Sequence, residues 1–404
     1  MCSCRSQTGV GDIFTGTYGN GAGPYTFNTG DVLDGLAGSD TLKITTGAEA
    51  STPPDGLWLN KTNFEKISLD STGNGAQVLT SGPAFQAAFG TNGVDVTVQT
   101  LLGAIDVTLT TFTGAATIHT HTIGAGAHTI TTGSGVSTVT ATGDAAGAQT
   151  INGVGLTTVT ATITGAGDQV IGTTNGGNLV SVTASIGAAG SQTIMSTSHS
   201  DVTIGATAFS GSQIITTNAG NDHVTTTGAV GQTATINTGA GNDVIVSSAS
   251  TDTITGGTGA DTMTGGGGVD TFQFNTDGSI IGTSMDIITD FNTSGADILA
   301  FGAGSTVVLT ADATALVAGS NVDTSAGGLI TFHANDNTLA LKIAAVEADA
   351  QLDAPGSVAM FVHAGNTYVY YAGTAAGNAD DQLIELQGIT TLTTIIGGAT
   401  TVIS

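Results

Sequence analysis

Residues 238–273 read TGAGNDVIV SSASTDTIT GGTGADTMT GGGGVDTFQ, which is four successive blocks of nine residues. Each block has an aspartate at its sixth position and an apolar residue two places later. Glycine lets the backbone turn tightly, and aspartate offers a hard oxygen to Ca²⁺. The apolar residue then starts a strand that points into a core. Two blocks make one 18-residue turn, so the stretch predicts a β-solenoid whose turns bind calcium.

The candidate calcium ligands are the sixth-position aspartates and the turn glycines. A fifth block, Thr217–Thr225 (TNAGNDHVT), lies 21 residues upstream of the first. Because alternate blocks stack, one edge should carry Asp222, Asp243 and Asp261, and the other Asp252 and Asp270. An ion between stacked turns takes ligands from both, which predicts about three well-formed sites. Ser248 and Ser250 replace glycines in the second block, which predicts a poorer site there. The candidate glycines are Gly220, Gly239, Gly241, Gly257, Gly259, Gly266 and Gly268.

The N-terminal region contains a degenerate version of the same pattern. The segment Gly35–Lys43 (GLAGSDTLK) places Asp40 in the aspartate slot, and Asp31 lies nine residues earlier. Asp12 occupies a similar position further upstream, and Leu36 stands where the pattern has a glycine. These three aspartates are therefore also candidate calcium ligands.

Between residues 46 and 95 the pattern is lost. The proline-containing segment 51–56 (STPPDG) predicts a loop, and Pro83–Phe89 (PAFQAAF) predicts a short helix packed as a cap.

The middle of the chain repeats with a longer period. Ser137–Ile151 (STVTATGDAAGAQTI) and Thr157–Ile171 (TTVTATITGAGDQVI) are near copies, each with two short alternating segments around a bend. Equivalent apolar positions, 18 to 23 residues apart, form two ladders. The first is Leu109, Ile130, Ile151, Ile171, Ile194, Ile215, Ile236, Ile254 and Phe272, and the second is Ile118, Val139, Val159, Val182, Val202, Val224, Ile245 and Met263.

These patterns predict an all-β fold: a continuous right-handed parallel β-solenoid, or β-roll, with small β-rich regions at its two ends. We expect four segments along it. They are an N-terminal cap and anchoring region (1–95), a calcium-poor solenoid rich in Thr and Gly (96–216), a calcium roll (217–275) and a C-terminal domain (276–404).

Composition excludes several classes of protein. The chain has 31 acidic and 5 basic residues and a net charge of −26, which argues against binding to nucleic acid or an anionic membrane. Gly (62) and Thr (74) make up a third of the 404 residues, and helices disfavour both. With 39% hydrophobic residues, it is not an acidic disordered polymer. Cys2 and Cys4 are too close for an unstrained disulfide, and no apolar run could span a membrane.

The nonapeptides resemble those of RTX (repeats-in-toxin) proteins, and the resemblance extends beyond them. Asp286–Phe301 (DIITDFNTSGADILAF) is similar to segments that close RTX rolls, and Phe361–Ile389 is similar to the C-terminal region of proteins exported by type I systems. The resemblance implies calcium as the ligand, a type I exporter as a partner, and an uncleaved C-terminal secretion signal. It also implies an extracellular location on a bacterial cell surface, as in S-layer-type proteins.

No enzymatic motif is visible, so we expect a protein without a catalytic site. His119, His121 and His128 fit a transition-metal site or, equally, polar positions on a Thr-rich strand face. Three functions remain open. The first is a subunit that assembles with itself into an S-layer or filament, with lipopolysaccharide or another glycan as anchor. The others are an adhesin or biofilm-matrix protein that binds glycans, and an ice-binding solenoid with ladders such as Thr138/Thr140 and Thr158/Thr160.

Overall fold

The computed structural model describes residues 11–18, 26–47, 50–71, 73–90, 92–172, 179–229, 231–275, 278–293, 296–301, 316–325, 328–373, 380–390, 395–396 and 401–403. The described part of the chain is nearly all β, with 47% strand and 6% helix, and forms a parallel β-solenoid of about 11 turns. The predicted fold class is therefore confirmed. The chain divides into two compact units, unit 1 (1–212) and unit 2 (213–404), whereas the predicted division into four segments is untested.

Unit 1 contains seventeen strands among its described residues. In chain order they are β1 (Ile13–Tyr18), β2 (Leu33–Asp34), β3 (Thr41–Thr46), β4 (Lys61–Thr62), β5 (Lys66–Ser71), β6 (Gln77–Thr80), β7 (Val94–Thr100), β8 (Ile105–Thr108), β9 (Ala116–Thr122), β10 (His128–Thr132), β11 (Ser137–Gly143), β12 (Gln149–Gly153), β13 (Leu156–Ile163), β14 (Gln169–Ile171), β15 (Ser181–Ala189), β16 (Gln192–Met195) and β17 (Thr203–Ser210).

Unit 1 is built from two long parallel sheets. Odd-numbered strands from β1 to β17 follow one another in the first, and even-numbered strands from β6 to β16 in the second. The inward ladder of the first sheet is Phe14, Leu42, Ile67, Val96, Ile118, Val139, Val159, Val182 and Ile204. That of the second is Leu79, Val107, Ile130, Ile151, Ile171 and Ile194.

Two predicted ladder positions are wrong. Val107, not Leu109, aligns with Ile130, and Ile204, not Val202, aligns with Val182. Leu109 and Val202 are themselves buried, two residues away on the same side of the chain. Since side chains of a strand alternate with period two, both choices satisfy the pattern and only the register separates them.

The expected loss of solenoid pattern between residues 46 and 95 is also wrong. Strands β5, β6 and β7 lie in the two sheets because their period-two alternation persists although the turn glycines do not. The predicted helix is present as α1 (Pro83–Phe89). The carboxylate of Asp55, which begins a 3-10 helix (Asp55–Trp58) within the predicted loop, accepts hydrogen bonds from the α1 backbone at Ala84 (2.9 Å) and Phe85 (3.0 Å).

A polar ladder also runs inside unit 1. Gln149, Gln169 and Gln192 occupy equivalent, buried positions on β12, β14 and β16. Each amide nitrogen donates to the amide oxygen before it, at 2.9 Å from Gln169 to Gln149 and 2.8 Å from Gln192 to Gln169. His128 holds the corresponding position on β10. The polar column of this unit is thus largely satisfied by the chain itself.

Unit 2 contains sixteen strands among its described residues. They are β18 (Gln213–Thr216), β19 (His223–Gly228), β20 (Ala234–Ala240), β21 (Val244–Val246), β22 (Thr253–Thr258), β23 (Thr262–Thr264), β24 (Thr271–Phe274), β25 (Asp286–Ile288), β26 (Ile298–Phe301), β27 (Asp323–Thr324), β28 (Ile330–Thr331), β29 (Val358–His363), β30 (Asn366–Tyr371), β31 (Gln382–Leu386), β32 (Ile395–Ile396) and β33 (Thr401–Ile403).

The first half of unit 2 continues the parallel arrangement with 18-residue turns. Strands β19, β21, β23 and β25 form one stack and β18, β20, β22, β24 and β26 the other. Their inward ladders are Val224, Ile245, Met263 and Ile288, and Ile215, Ile236, Ile254, Phe272 and Leu299.

The second half of unit 2 closes the roll with antiparallel strands. Strand β31 pairs in parallel with β25 and antiparallel with β30, which in turn pairs with β29. Helix α2 (Leu339–Glu347) contributes Ala345 and Val346 to a core shared with Phe361 and Tyr370. Neither helix in the described part of the chain is long and apolar enough to cross a membrane.

Candidate calcium site

The aspartates of the nonapeptides lie where the turns of unit 2 end and the strands begin. Asp222, Asp243 and Asp261 directly precede β19, β21 and β23, and each is about 1% exposed. The apolar residue two places later points into the core, so the same pattern that starts the strand also holds the carboxylate at the turn. Stacking of the strands then places these carboxylates in one column.

Hydrogen bonds connect successive members of this column. The backbone N–H of Asp222 donates to Asp243 Oδ1 (2.7 Å), and that of Asp243 donates to Asp261 Oδ1 (2.8 Å). The N–H of Asp261 donates to Asp286 Oδ1 (2.8 Å). We call Asp222, Asp243, Asp261 and Asp286 the first column. One oxygen of each later carboxylate thus completes the turn before it.

A second column forms on the other edge. Asp252 Oδ1 accepts from the N–H of Ala234 (2.6 Å), Asp270 Oδ1 from Asp252 (2.8 Å), and Asp297 Oδ1 from Asp270 (2.9 Å). Asp252, Asp270 and Asp297 make up this second column. The division of the aspartates between two edges is therefore as the sequence predicts.

Glycine is required in these turns for both conformation and space. Gly257 and Gly259 have φ of 110° and 128°, in the region that side chains disfavour. A Cβ on either would collide with a carbonyl oxygen of the turn before it, at Gly239 or Gly241 respectively. The same holds for the other candidate glycines of the roll with φ between 93° and 136°, namely Gly220, Gly239, Gly241, Gly266 and Gly268. The turns thus stack with their carbonyl oxygens closely spaced.

Burial and like charges make the columns electrostatically unfavourable when ionised. Burial raises the pKa of Asp261 to about 7, and the Asp243 carboxylate raises it further. Burial likewise raises the pKa of Asp270 to about 7, with added repulsion from Asp297 and Asp252. For Asp286, burial and repulsion from Asp261 raise the pKa to about 8. At neutral pH the columns therefore need protons or cations.

The second carboxylate oxygens differ between the two edges. Asp261 Oδ2 is buried and accepts no hydrogen bond, and it faces Gly256, where a Cβ would collide with it. Asp252 Oδ2 instead accepts from Ser247 Oγ (2.6 Å) and from Ser248 Oγ (3.1 Å) and N–H (3.2 Å). The serines that replace the glycines of the second block supply the donors that a cation would otherwise replace.

These residues fit calcium by the chemistry of their donors. Ca²⁺ takes six to eight oxygen ligands from carboxylates and carbonyls in flexible geometry, and both kinds converge in the glycine turns. Among the described residues, no group of three or more His, Cys, Asp or Glu side chains could hold a metal by itself. A calcium ion at the roll would therefore combine buried oxygens such as Asp261 Oδ2 with main-chain carbonyls of two adjacent turns.

The predicted N-terminal site has the same turn geometry. Leu36 adopts a φ of 68° and Gly38 one of 145°, so Leu36 takes a conformation that normally favours glycine. The N–H of Asp12 donates to Asp40 Oδ1 (2.7 Å), and the N–H of Asp40 donates to Glu65 Oε2 (2.7 Å). Asp40 Oδ2 is buried without a hydrogen bond. Asp12 and Asp40 thus reproduce in unit 1 the column geometry of unit 2.

Asp31 does not join this column, contrary to the prediction. Its Oδ2 accepts a hydrogen bond from the N–H of Asn28 (2.8 Å), which closes a local turn. The nine-residue spacing to Asp40 misleads because the intervening strand β2 pairs with β4 in a separate two-stranded sheet.

The three histidines are separated in function. His128 is buried, with Nδ1 2.7 Å from Thr120 Oγ1, and burial lowers its pKa to about 4. His121 Nε2 lies 3.0 Å from Asp144 Oδ2 at the surface. His119 projects from β9 at the position aligned with Thr140. Their places fit polar positions of the sheet better than a shared metal site.

Sequence reasoning missed three carboxylates of the columns: Asp286, Asp297 and Glu65. Each stands two residues before an inward apolar residue, at Ile288, Leu299 and Ile67 respectively. That slot is the same as in the nonapeptides, so the spacing to the next apolar residue was the usable signal. Asp290 is a further addition, because its carboxylate accepts from the N–H groups of Gly265 (2.9 Å) and Gly266 (2.7 Å).

Comparison with known proteins supports the same interpretation. Residues 235–272 match the RTX calcium-binding nonapeptide repeat family in four copies. Neither the curated proteins nor the solved structures give a match. RTX nonapeptides bind calcium, and the proteins that carry them are typically secreted. The nonapeptide match within a parallel β-solenoid identifies this chain as a calcium-binding repeat protein of the RTX type.

Proposed function

We propose that this protein is a structural, non-enzymatic subunit of a bacterial cell surface that assembles with copies of itself when calcium binds. The observation that carries the proposal is the pair of buried carboxylate columns in unit 2. Their raised pKa values at Asp261, Asp270 and Asp286 mean that a cation changes both the charge and the stability of the roll.

Charge supports self-assembly that depends on calcium. At a net charge of −26, copies of this chain repel one another, and salt screens such repulsion only beyond about 10 Å. Bound divalent cations neutralise the roll and lower that repulsion. In a cytosol with little free calcium the roll would stay unfolded and compatible with a type I exporter, and millimolar calcium outside would fold it. A cell-surface glycan such as lipopolysaccharide is the proposed anchor.

Light scattering and electron microscopy during a calcium titration test this proposal. We expect ordered sheets or filaments at millimolar calcium and their dissolution when EGTA is added. Magnesium at the same concentration is the matched control, because it demands a smaller octahedral site and should not induce assembly. Assemblies that persist in chelator, or protein that stays monomeric at high calcium, would exclude the surface-coat function. Glycan binding by such a monomer would favour the adhesin alternative.

One observation favours ice binding as a second candidate. On the outer face of the first sheet of unit 1, Thr138 aligns with Thr158, and Thr140 with Thr160 and then Thr183. Such strands lie about 4.8 Å apart, so the hydroxyl groups form a regular array. Thermal hysteresis of the monomer at sub-zero temperature, abolished by Thr160→Lys, would support this function over the first.

A further inference from the structure

Lys61 is a buried cation in unit 1. It is one of five basic residues in the chain, and only about 1% of its surface is exposed. It begins β4, where it aligns with Leu33 of β2. A buried ammonium group is unfavourable unless its surroundings replace the hydrogen bonds and the charge stabilisation of water.

Three main-chain carbonyl oxygens surround the ammonium group. Lys61 Nζ donates to the oxygens of Asp31 (2.6 Å), Leu59 (3.1 Å) and Asn28 (3.2 Å). These acceptors match the three N–H donors of an ammonium group. The Nζ atom also lies 5.2 Å from the centroid of the Phe27 ring, within the range of a cation–π interaction.

The acceptors come from two separate segments that the lysine joins. In the first, the N–H of Asp31 donates to Asn28 O (3.2 Å), and Asp31 Oδ2 accepts from the N–H of Asn28, so both carbonyls belong to one closed turn. The third carbonyl, of Leu59, precedes Asn60, which has a φ of 60°. Two turns thus present carbonyl oxygens to one point.

We propose that these carbonyls and the Phe27 ring form a cation pocket that Lys61 fills with its own ammonium group. The ligand class of the pocket is a primary ammonium ion. The lysine holds the two turns of unit 1 together as an internal cation, so this region needs no calcium, and its charge repels a divalent ion from the same position. The inference does not depend on the proposed function.

The test uses Trp58, the single tryptophan of the chain. It is buried, 5.5 Å from the Phe85 ring, and its fluorescence reports on this part of unit 1. In calcium-free buffer, we expect Lys61→Ala to lower the melting temperature followed at Trp58 by about 10 °C. The matched control is Lys43→Ala, because Lys43 Nζ pairs with Asp70 Oδ2 at 3.3 Å on the surface and its loss should shift melting by only about 2 °C.

Chemical rescue separates a cation pocket from a merely structural lysine. Propylammonium chloride supplies the atoms that Lys61→Ala removes and should restore at least half of the lost melting temperature, whereas equal ionic strength of NaCl or CaCl₂ should not. Should the variant fail to fold, the same salts are compared for recovery of buried Trp58 emission on refolding. Equal melting of the two variants, equal rescue by all salts, rescue by calcium, or no rescue by propylammonium would overturn the proposal.

Discussion

Unit 1 and unit 2 use the same parallel turns but fill their polar columns with different residues. In unit 1, Gln169 donates to Gln149 and accepts from Gln192, because an amide has both donors and an acceptor. In unit 2, Asp243 and Asp261 occupy the column, and an ionised carboxylate only accepts. An amide column closes on itself, whereas a carboxylate column accumulates charge. The difference shows that the residue type of the column decides whether the fold needs a ligand.

Removal of calcium should give the largest difference between the units. We expect chelator to abolish β-structure over residues 217–273, because the aspartate columns repel when ionised and the glycine turns lose much entropy on ordering. The emission of Trp58 in unit 1 should stay that of a buried indole. Circular dichroism and fluorescence of one sample measure both, and millimolar calcium should reverse the loss. An unchanged dichroism spectrum in chelator would remove the distinction between the columns.

A pair of substitutions sharpens the comparison within unit 2. Asp261→Ala should lower the number of bound calcium ions, since Asp261 Oδ2 has no hydrogen bond and sits in an intact glycine turn. Asp252→Ala should lower it less, because Ser247 and Ser248 already use Asp252 Oδ2. Isothermal titration calorimetry gives the stoichiometry, and we expect about a tenfold loss of affinity at any remaining site beside residue 261, or about 1.4 kcal/mol. Equal stoichiometry in the two variants would contradict the ranking.

Acid should act in opposite directions on the two units of calcium-free protein. The raised pKa values of Asp261 and Asp286 mean that their contribution to stability is present near pH 4 and is lost as pH rises through about 7 to 8. The lowered pKa of His128 makes unit 1 lose stability as pH falls from about 6.5 to 4.

Unfolding in urea at pH 5 and pH 8 measures this effect, which we expect to be on the order of a few kcal/mol in each direction. Dichroism follows unit 2, and Trp58 fluorescence follows unit 1. In His128→Gln, which extends the amide ladder, the acid response of unit 1 should disappear while that of unit 2 persists. Parallel responses of both units to pH would contradict the assignment.

The sequence is most informative where it repeats. Nonapeptide spacing placed Asp243 and Asp252 on opposite edges, and period-two alternation identified the inward faces, because both follow from local geometry. Register needs contacts between turns, which is why Val107 and Ile204 were missed in favour of neighbours two residues away. The pairing of Asp252 with Ser247 likewise depends on side-chain positions within a turn.

Irregular segments carried the least information. Nothing in the sequence around Lys61 indicates that its ammonium group is buried, since lysine is almost always a surface residue. The closing aspartates, Asp286 and Asp297, lie 25 and 27 residues after their partners instead of 18, so the period conceals them. Distance from the repeat, and not chemistry, limited the prediction.

The hydrogen bonds from Asp243 to Asp261 and from Asp252 to Asp270 both span 18 residues, and this interval restricts how such a roll can change in length during evolution. Duplication of residues 256–273 would add one carboxylate to each column and lengthen the roll by about 4.8 Å without altering any neighbour. Duplication of a single nonapeptide would move every later aspartate to the opposite edge, including those that close the roll. Genetic variation in repeat number is therefore compatible with this fold only in even numbers of nonapeptides, and an odd number requires a compensating loop.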